Sequence, residues 1–212
     1  SQSWRRVPLK DGAQTTVHIA TFALAGLRPR VVHLEPETPV EDWCAREGVT
    51  GAVSGGYATK PDHEPLGELW VDGQPIAHRR FAQPWNRRRA AIALTNGRVA
   101  IDRLDRLPAR VEGGLLQAGP LLVRDGRSAI AGVDDPEGFS ATAEEFDRDL
   151  TADREPRLAI GVSDDALIAV AADGRTPRDA GLTLWELADL LVDLGARSAL
   201  NLDGGPAAVL VA

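Results

Sequence analysis

Short apolar stretches alternate with turn-forming residues along most of this chain, and that rhythm predicts strands joined by hairpins. Residues 16–24 place apolar and polar side chains on alternate positions and read as a strand; residues 30–34 read as another, after a turn at 26–29. Apolar segments flank Asp72-Gly73, Asn96-Gly97 and Asp125-Gly126, and such dipeptides accept the positive φ values of tight hairpin turns. Residues 157–163 and 166–172 make a further pair across Asp164-Asp165, and residues 207–211 end the chain as a short strand.

Two helices interrupt this pattern. Thr38-Pro39-Val40-Glu41 opens the first, with Thr38 as cap, Pro39 at the first helical position and acids in the first turn; it runs to about Glu47 and stops at Gly48. Thr183-Leu184-Trp185-Glu186 is a capping box, in which hydroxyl and carboxylate each satisfy the other residue's amide. Its helix turns Leu184, Leu187, Ala188, Leu191 and Val192 to one side and ends at Gly195. Lying between the strands at 166–172 and 199–202, it reads as a crossover that sets those strands parallel. Residues 134–156 are polar, charged and rich in breakers, and read as a surface excursion with a short helix near 143–146. The fold class that follows is α+β: a mixed, largely antiparallel sheet of many hairpins with two or three packed helices, in one domain over residues 1–212.

Composition narrows the partners. Hydrophobic residues make up 43% of the 212, enough for a sizeable core. The net charge of −7 with no basic block argues against nucleic acid, and no apolar run reaches membrane-spanning length. Cys44 is the single cysteine, so no disulfide forms within the chain; on a helix it reads as a small buried hydrophobe. The chain begins at Ser1 and holds no methionine, as a trimmed product would. The expectation is a cytoplasmic protein if this is the full chain, and a secreted or cell-envelope one if a signal has been removed. Ala, Arg and Gly usage resembles that of a GC-rich bacterial genome.

Two strand-to-glycine junctions stand out. Ser54-Gly55-Gly56-Tyr57 follows Ala52-Val53, and Asn201-Leu202-Asp203-Gly204-Gly205 follows Ala199-Leu200. Side chains alternate along a strand, so Asn201 and Asp203 share a face and Leu202 points into packing. Two such junctions suggest one shared site.

With Ala118-Gly119-Pro120-Leu121, Arg157-Leu158-Ala159-Ile160-Gly161-Val162, Asp173-Gly174-Arg175 and Gly181-Leu182-Thr183-Leu184-Trp185-Glu186, these junctions make six motifs in order. Together they resemble the phosphodiester glycosidase domain, the family of the lysosomal uncovering enzyme and many bacterial proteins, from about Ala52 to the end. The resemblance implies hydrolysis of a sugar-1-phosphodiester, releasing free sugar and leaving the phosphate on the other alcohol. The substrate would be a small-molecule or glycan phosphodiester. The chain departs from the family at Ser54, where an Asn is usual, and at Pro206 and Ala207, where a third glycine and a serine are usual. Proline removes an N–H and alanine a hydroxyl, so a phosphate cradle there has fewer donors. The family's domain often continues past this motif, which implies a domain short at its C-terminal edge. These departures also admit a catalytically degenerate sugar-phosphate-binding module of the same fold.

Each candidate residue carries two readings. Asp203 suits general acid–base work on the glycosidic bond, or bonds its own turn. Asn201 orients Asp203 or a sugar hydroxyl, or satisfies nearby backbone. Amides of Gly55, Gly56, Gly204 and Gly205 form an anion nest, or serve turn geometry alone. Arg157 grips a phosphate in two-pronged fashion, or is a solvated strand start; Arg175 and Arg178 read chiefly as surface charges. Ser54 contacts substrate by its hydroxyl. Thr183 is explained by its cap, although a helix N-terminus also favours an anion. His63, in the loop at 59–65, suits proton transfer near neutral pH, or is simply solvated. Trp70 and Trp85, near loops, suit stacking on a sugar, whereas Trp43 and Trp185 read as core. Asp and Asn oxygens are donors for Ca²⁺ or Mg²⁺, but no dense acidic loop or zinc spacing occurs.

Overall fold

The computed structural model describes residues 1–35, 38–59, 62–130, 135, 137–140, 153–204 and 209–212. Among them the strands are β1 (Gln2–Pro8), β2 (Gln14–Ala23), β3 (Ala52–Val53), β4 (Tyr57–Ala58), β5 (Pro65–Leu66), β6 (Leu69–Val71), β7 (Gln74–Pro75) and β8 (Ala90–Thr95). They continue as β9 (Arg98–Arg103), β10 (Leu115–Gln117), β11 (Leu121–Arg124), β12 (Arg127–Ser128), β13 (Arg157–Val162), β14 (Ala166–Ala172), β15 (Ser198–Leu202) and β16 (Leu210–Val211).

Three tight turns form where the dipeptides predict them. Asp72 and Gly73 (φ 49° and 75°), Asn96 and Gly97 (51° and 72°) and Asp125 and Gly126 (51° and 72°) give β6–β7, β8–β9 and β11–β12. Both central residues have positive φ, the geometry that matches strand twist.

Two main sheets result. One has seven strands in the order β1-β2-β14-β13-β15-β11-β12, the other five in the order β7-β6-β10-β8-β9, and β3–β16 and β4–β5 form small pairs. Every strand pairing in these sheets is antiparallel; a parallel bridge joins Leu66 to Arg79 outside them. β14 and β15 do run the same way, but β13 lies between them and pairs antiparallel with each. The Leu184–Asp193 helix covers one face of the larger sheet: Leu184, Leu187, Ala188 and Leu191 pack on Ala159, Ile168, Val170 and Leu122. The other face packs on the smaller sheet through Leu158, Ile160, Leu200 and Leu202 against Ile92, Leu94 and Ile101. β13 is buried on both sides, which is why its run of residues is apolar rather than alternating. Cys44 is buried at 3% exposure, as a small hydrophobe.

Local pattern misleads at two places. Residues 30–34 form no strand: they have no ladder partner among the described residues, Arg30 stacks on Trp43 and Val31 fills the space beside Gly114. The first helix begins one residue late, at Val40, because the Pro39 carbonyl is its first acceptor, from Trp43 N at 3.1 Å; Pro39 is thus the cap and Thr38 makes no capping bond. The predicted helix near 143–146 lies outside the described residues. Among those described, no helix is long and apolar enough to cross a membrane. The chain ends meet: the Gln2 side-chain amide donates to the Ala212 carbonyl.

Candidate active site

β15 delivers the polar pair to the end of the larger sheet. Leu202, 2% exposed, points into the core between the sheets. Asn201, 1% exposed, lies beneath the surface, and its Nδ2 donates to the carbonyls of Gly119 and Leu202 (both 3.0 Å) and to the Tyr57 hydroxyl (3.2 Å). The Tyr57 hydroxyl donates in turn to the Gly119 carbonyl at 2.6 Å. Asn201 Oδ1 is buried and has no hydrogen-bond partner among the described residues. Burial, and then the nearby Asp203 carboxylate, push the Tyr57 pKa well above its ordinary value. The phenol is therefore a donor at any physiological pH.

The two glycine junctions touch here. Asp203 N donates to the Gly55 carbonyl at 3.2 Å, and Asp203 itself is half-buried. None of Gly55, Gly56 and Gly204 has positive φ; close approach of backbone requires glycine at 204, while the Leu116 side chain crowds the other two. A Cβ on Gly55 would lie 2.6 Å from the Leu116 side chain, and one on Gly204 would lie 2.6 Å from the Pro156 carbonyl and 3.5 Å from Arg157 Cα; Gly56 is less crowded, at 3.3 Å from Leu116. The amides of Gly55, Gly56 and Gly204 donate no hydrogen bond among the described residues. Gly205, Pro206 and Ala207 lie outside the described residues.

Other predicted site residues have structural partners. Ser54 continues the β3–β16 pair: its N–H donates to the Val209 carbonyl at 3.0 Å and its hydroxyl accepts from Val209 N at 2.9 Å. Arg157 is 3% exposed, with Nε on the Leu182 carbonyl (2.9 Å) and Nη2 on the Asp153 carbonyl (2.8 Å); burial lowers its pKa. Thr183 forms its capping box, with the hydroxyl accepting from Glu186 N at 3.2 Å and Glu186 Oε2 accepting from Thr183 N at 2.9 Å. Asp203, Gly55, Gly204 and Arg157 are thus brought together. His63 is not joined to them: it sits exposed with φ 55° in the β4–β5 loop, and its imidazole has no hydrogen-bond partner among the described residues. The Trp85 ring packs on Gly138, and Trp70 packs on the outer face of the smaller sheet. Among the described residues, no cluster of three or more His, Cys, Asp or Glu could hold a metal ion.

Behind the site lies a buried polar layer that the sequence pattern does not announce. Arg89, 0% exposed, is sandwiched between Phe81 and Phe139 (4.4 and 4.2 Å) and donates to the carbonyls of Glu137 and Gly138. Glu137, 2% exposed, accepts from Leu121 N at 2.6 Å and Ala90 N at 2.8 Å; burial, opposed by those two amides and by Arg89, lifts its pKa to about 7. Gln117 binds the carbonyls of Asn86 and Arg89 and the amide of Glu68. This layer fixes Gly119, whose carbonyl the Tyr57 and Asn201 side chains share. Tyr57 had one available signal: it is the chain's single tyrosine and directly follows a glycine pair. Glu137 had none, since it falls in the stretch read as a surface excursion.

A model of the phosphodiester glycosidase family matches residues 47–212. The chain is 28% identical, over 241 aligned positions, to N-acetylglucosamine-1-phosphodiester alpha-N-acetylglucosaminidase of Mus musculus; the match takes in 99% of this chain and 45% of the mouse protein, so the chain spans less than half of that relative. Among solved structures it is similar to the zebrafish N-acetylglucosamine-1-phosphodiester alpha-N-acetylglucosaminidase catalytic domain auto-inhibited by its pro-peptide, with TM-score 0.65, 22% identity and coverage of 100% of this chain and 72% of that one. It is also similar to a hypothetical protein from Synechocystis, with TM-score 0.63, 21% identity and coverage of 99% and 57%. At such identities, the likeness is one of fold.

Proposed function

Because the chain belongs to the phosphodiester glycosidase family, a family of hydrolases, we propose that it cleaves the glycosidic bond of a sugar-1-phosphodiester where Asp203 meets Gly55. Asp203 takes a proton from a water that attacks the anomeric carbon. The bond from that carbon to the phosphate oxygen breaks, and its electron pair stays on the phosphate. Free sugar and a phosphomonoester leave, and the proton passes from Asp203 to solvent. Amides of Gly55, Gly56 and Gly204 face the phosphate as donors that need no reorganisation. The substrate is a small-molecule or glycan phosphodiester.

One observation carries this reading: Asp203 N on the Gly55 carbonyl, with Gly204 against the Pro156 and Arg157 backbone, joins both glycine junctions at the start of β13. The test is release of free sugar from a glycosyl-1-phosphodiester at high protein concentration. Asp203→Asn is expected to lower the rate by roughly 10²–10⁴-fold, with the thermal midpoint unchanged. Full activity in that variant would sink the role of Asp203.

A second reading, a binding module without turnover, draws on a different observation. The hydroxyls of Ser54 and Thr183 and two donors of Arg157 already have partners within the protein. Calorimetry that detects sugar-phosphate binding, with no sugar released from any glycosyl phosphodiester, would favour it.

A further inference from the structure

We propose that Arg175, and not the buried Arg157, is the cation that meets the anionic group of the ligand, with Arg157 a positioning residue beneath it. The inference deepens the site reading above and rests on it.

Three chain segments lie side by side at one end of the larger sheet. Residues 155–156 enter β13, residues 173–175 leave β14, and Asp203-Gly204 leaves β15; Arg157 pairs with Ala172 and Leu158 with Leu202. β13 lies between the other two strands, so the exits of β14 and β15 are about two strand spacings apart, roughly 10 Å. A ligand anion beside Asp203 is then within reach of a long side chain from the β14 exit.

Glycine contacts seat that exit. A Cβ on Gly174 would lie 2.7 Å from Pro156 N, and one on Gly181 would lie 2.6 Å from the Glu155 carbonyl, so the 173–181 turn rests directly on Glu155 and Pro156. The same Pro156 meets Gly204 through its carbonyl. Arg175 holds a left-handed φ of 57°, which few residues other than glycine adopt. Its Nε lies 2.5 Å from Glu155 Oε2. Glu155 is itself fixed by two backbone bonds to Leu182, the residue whose carbonyl takes Arg157 Nε.

Exposure divides the work between the two arginines. The Arg175 side chain is 56% exposed, whereas Arg157 is 3% exposed and fastens Asp153 to Leu182. The two are near enough for the charge of Arg175 to add to the lowering of the Arg157 pKa. At the rim beside the Glu155 carboxylate, the Arg175 guanidinium is a planar, permanently charged fork of the kind that suits a phosphate oxygen. The ligand chemistry is therefore a phosphate-class anion held at the rim by Arg175.

Inorganic phosphate binding to the full chain, followed by ³¹P line broadening and calorimetry, tests this without requiring turnover. Arg175→Gln is expected to weaken binding about tenfold or more, the loss of one charge-assisted hydrogen bond, and to lower the thermal midpoint modestly because Glu155 loses its partner. Arg178→Gln removes the same charge three residues away and is expected to leave binding as it was. Arg157→Lys is expected to lower the thermal midpoint. Unchanged phosphate affinity in Arg175→Gln, an equal loss in Arg178→Gln, or no phosphate binding by the native chain would each overturn the inference. Arg175-dependent binding without sugar release would uphold it while overturning the hydrolase reading.

Discussion

Glu137 shows how much a single buried carboxyl can shape this protein's response to pH. Its ordinary pKa of 4.5 rises to about 7 in the folded chain, because burial outweighs the help of the Leu121 and Ala90 amides and of Arg89; Asp135 adds to the rise. The folded state therefore holds a proton that the unfolded state has lost between those values. Its contribution to stability is complete below pH 4.5 and is lost as pH rises through about 7, on the order of 3 kcal/mol in all. Unfolding midpoints measured between pH 4.5 and 8 should fall across this window, and Glu137→Gln should flatten that part of the profile. Midpoints that rise steadily with pH across it in the native chain would contradict the assignment. The same residue marks a boundary of sequence reading. A glutamate in a polar, breaker-rich stretch gives no sign of burial; only the long-range approach of Ala90 and Leu121 puts it inside.

At the level of elements, the features visible in the sequence are those decided within a few residues. The three hairpin turns depend on φ at two positions, and the capping box on residues three apart, so both form as the sequence predicts. Residues 30–34 have the composition of a strand, but a strand also needs a neighbour with matching unpaired groups, and that lies beyond any local window. Likewise, the glycine junctions are visible as motifs, whereas the contact of Asp203 with Gly55 joins segments of different sheets that are far apart in the chain. The Leu184–Asp193 helix offers a test at this scale. Glu186 accepts from Thr183 N and is also gripped by Arg154 at 2.7 Å, which lowers the Glu186 pKa against the cost of burial. Thr183→Ala should cost about 1 kcal/mol in urea unfolding. Phosphate binding should change little, because the hydroxyl serves the helix. A large loss of binding at constant stability would instead return Thr183 to the site.

In the whole molecule, two sheets and one helix enclose β13, and the candidate site residues gather at one end of β13, β14 and β15. Those strands are stacked on both faces, so the polar groups at their ends sit on a stiff base. The chain ends are a further property of this arrangement. β1 and β16 belong to different sheets, yet the Gln2 side chain reaches the Ala212 carbonyl. Residue 2 and residue 212 thus lie side by side in the fold. In a polypeptide of residues 1–212, a short flexible linker can join these two positions and the chain can be cut instead at Asn96-Gly97, an exposed turn away from the candidate site residues. Such a circular permutant should melt within a few degrees of the parent and keep the same ligand affinity. If so, the order in which the chain threads its elements is incidental to the fold.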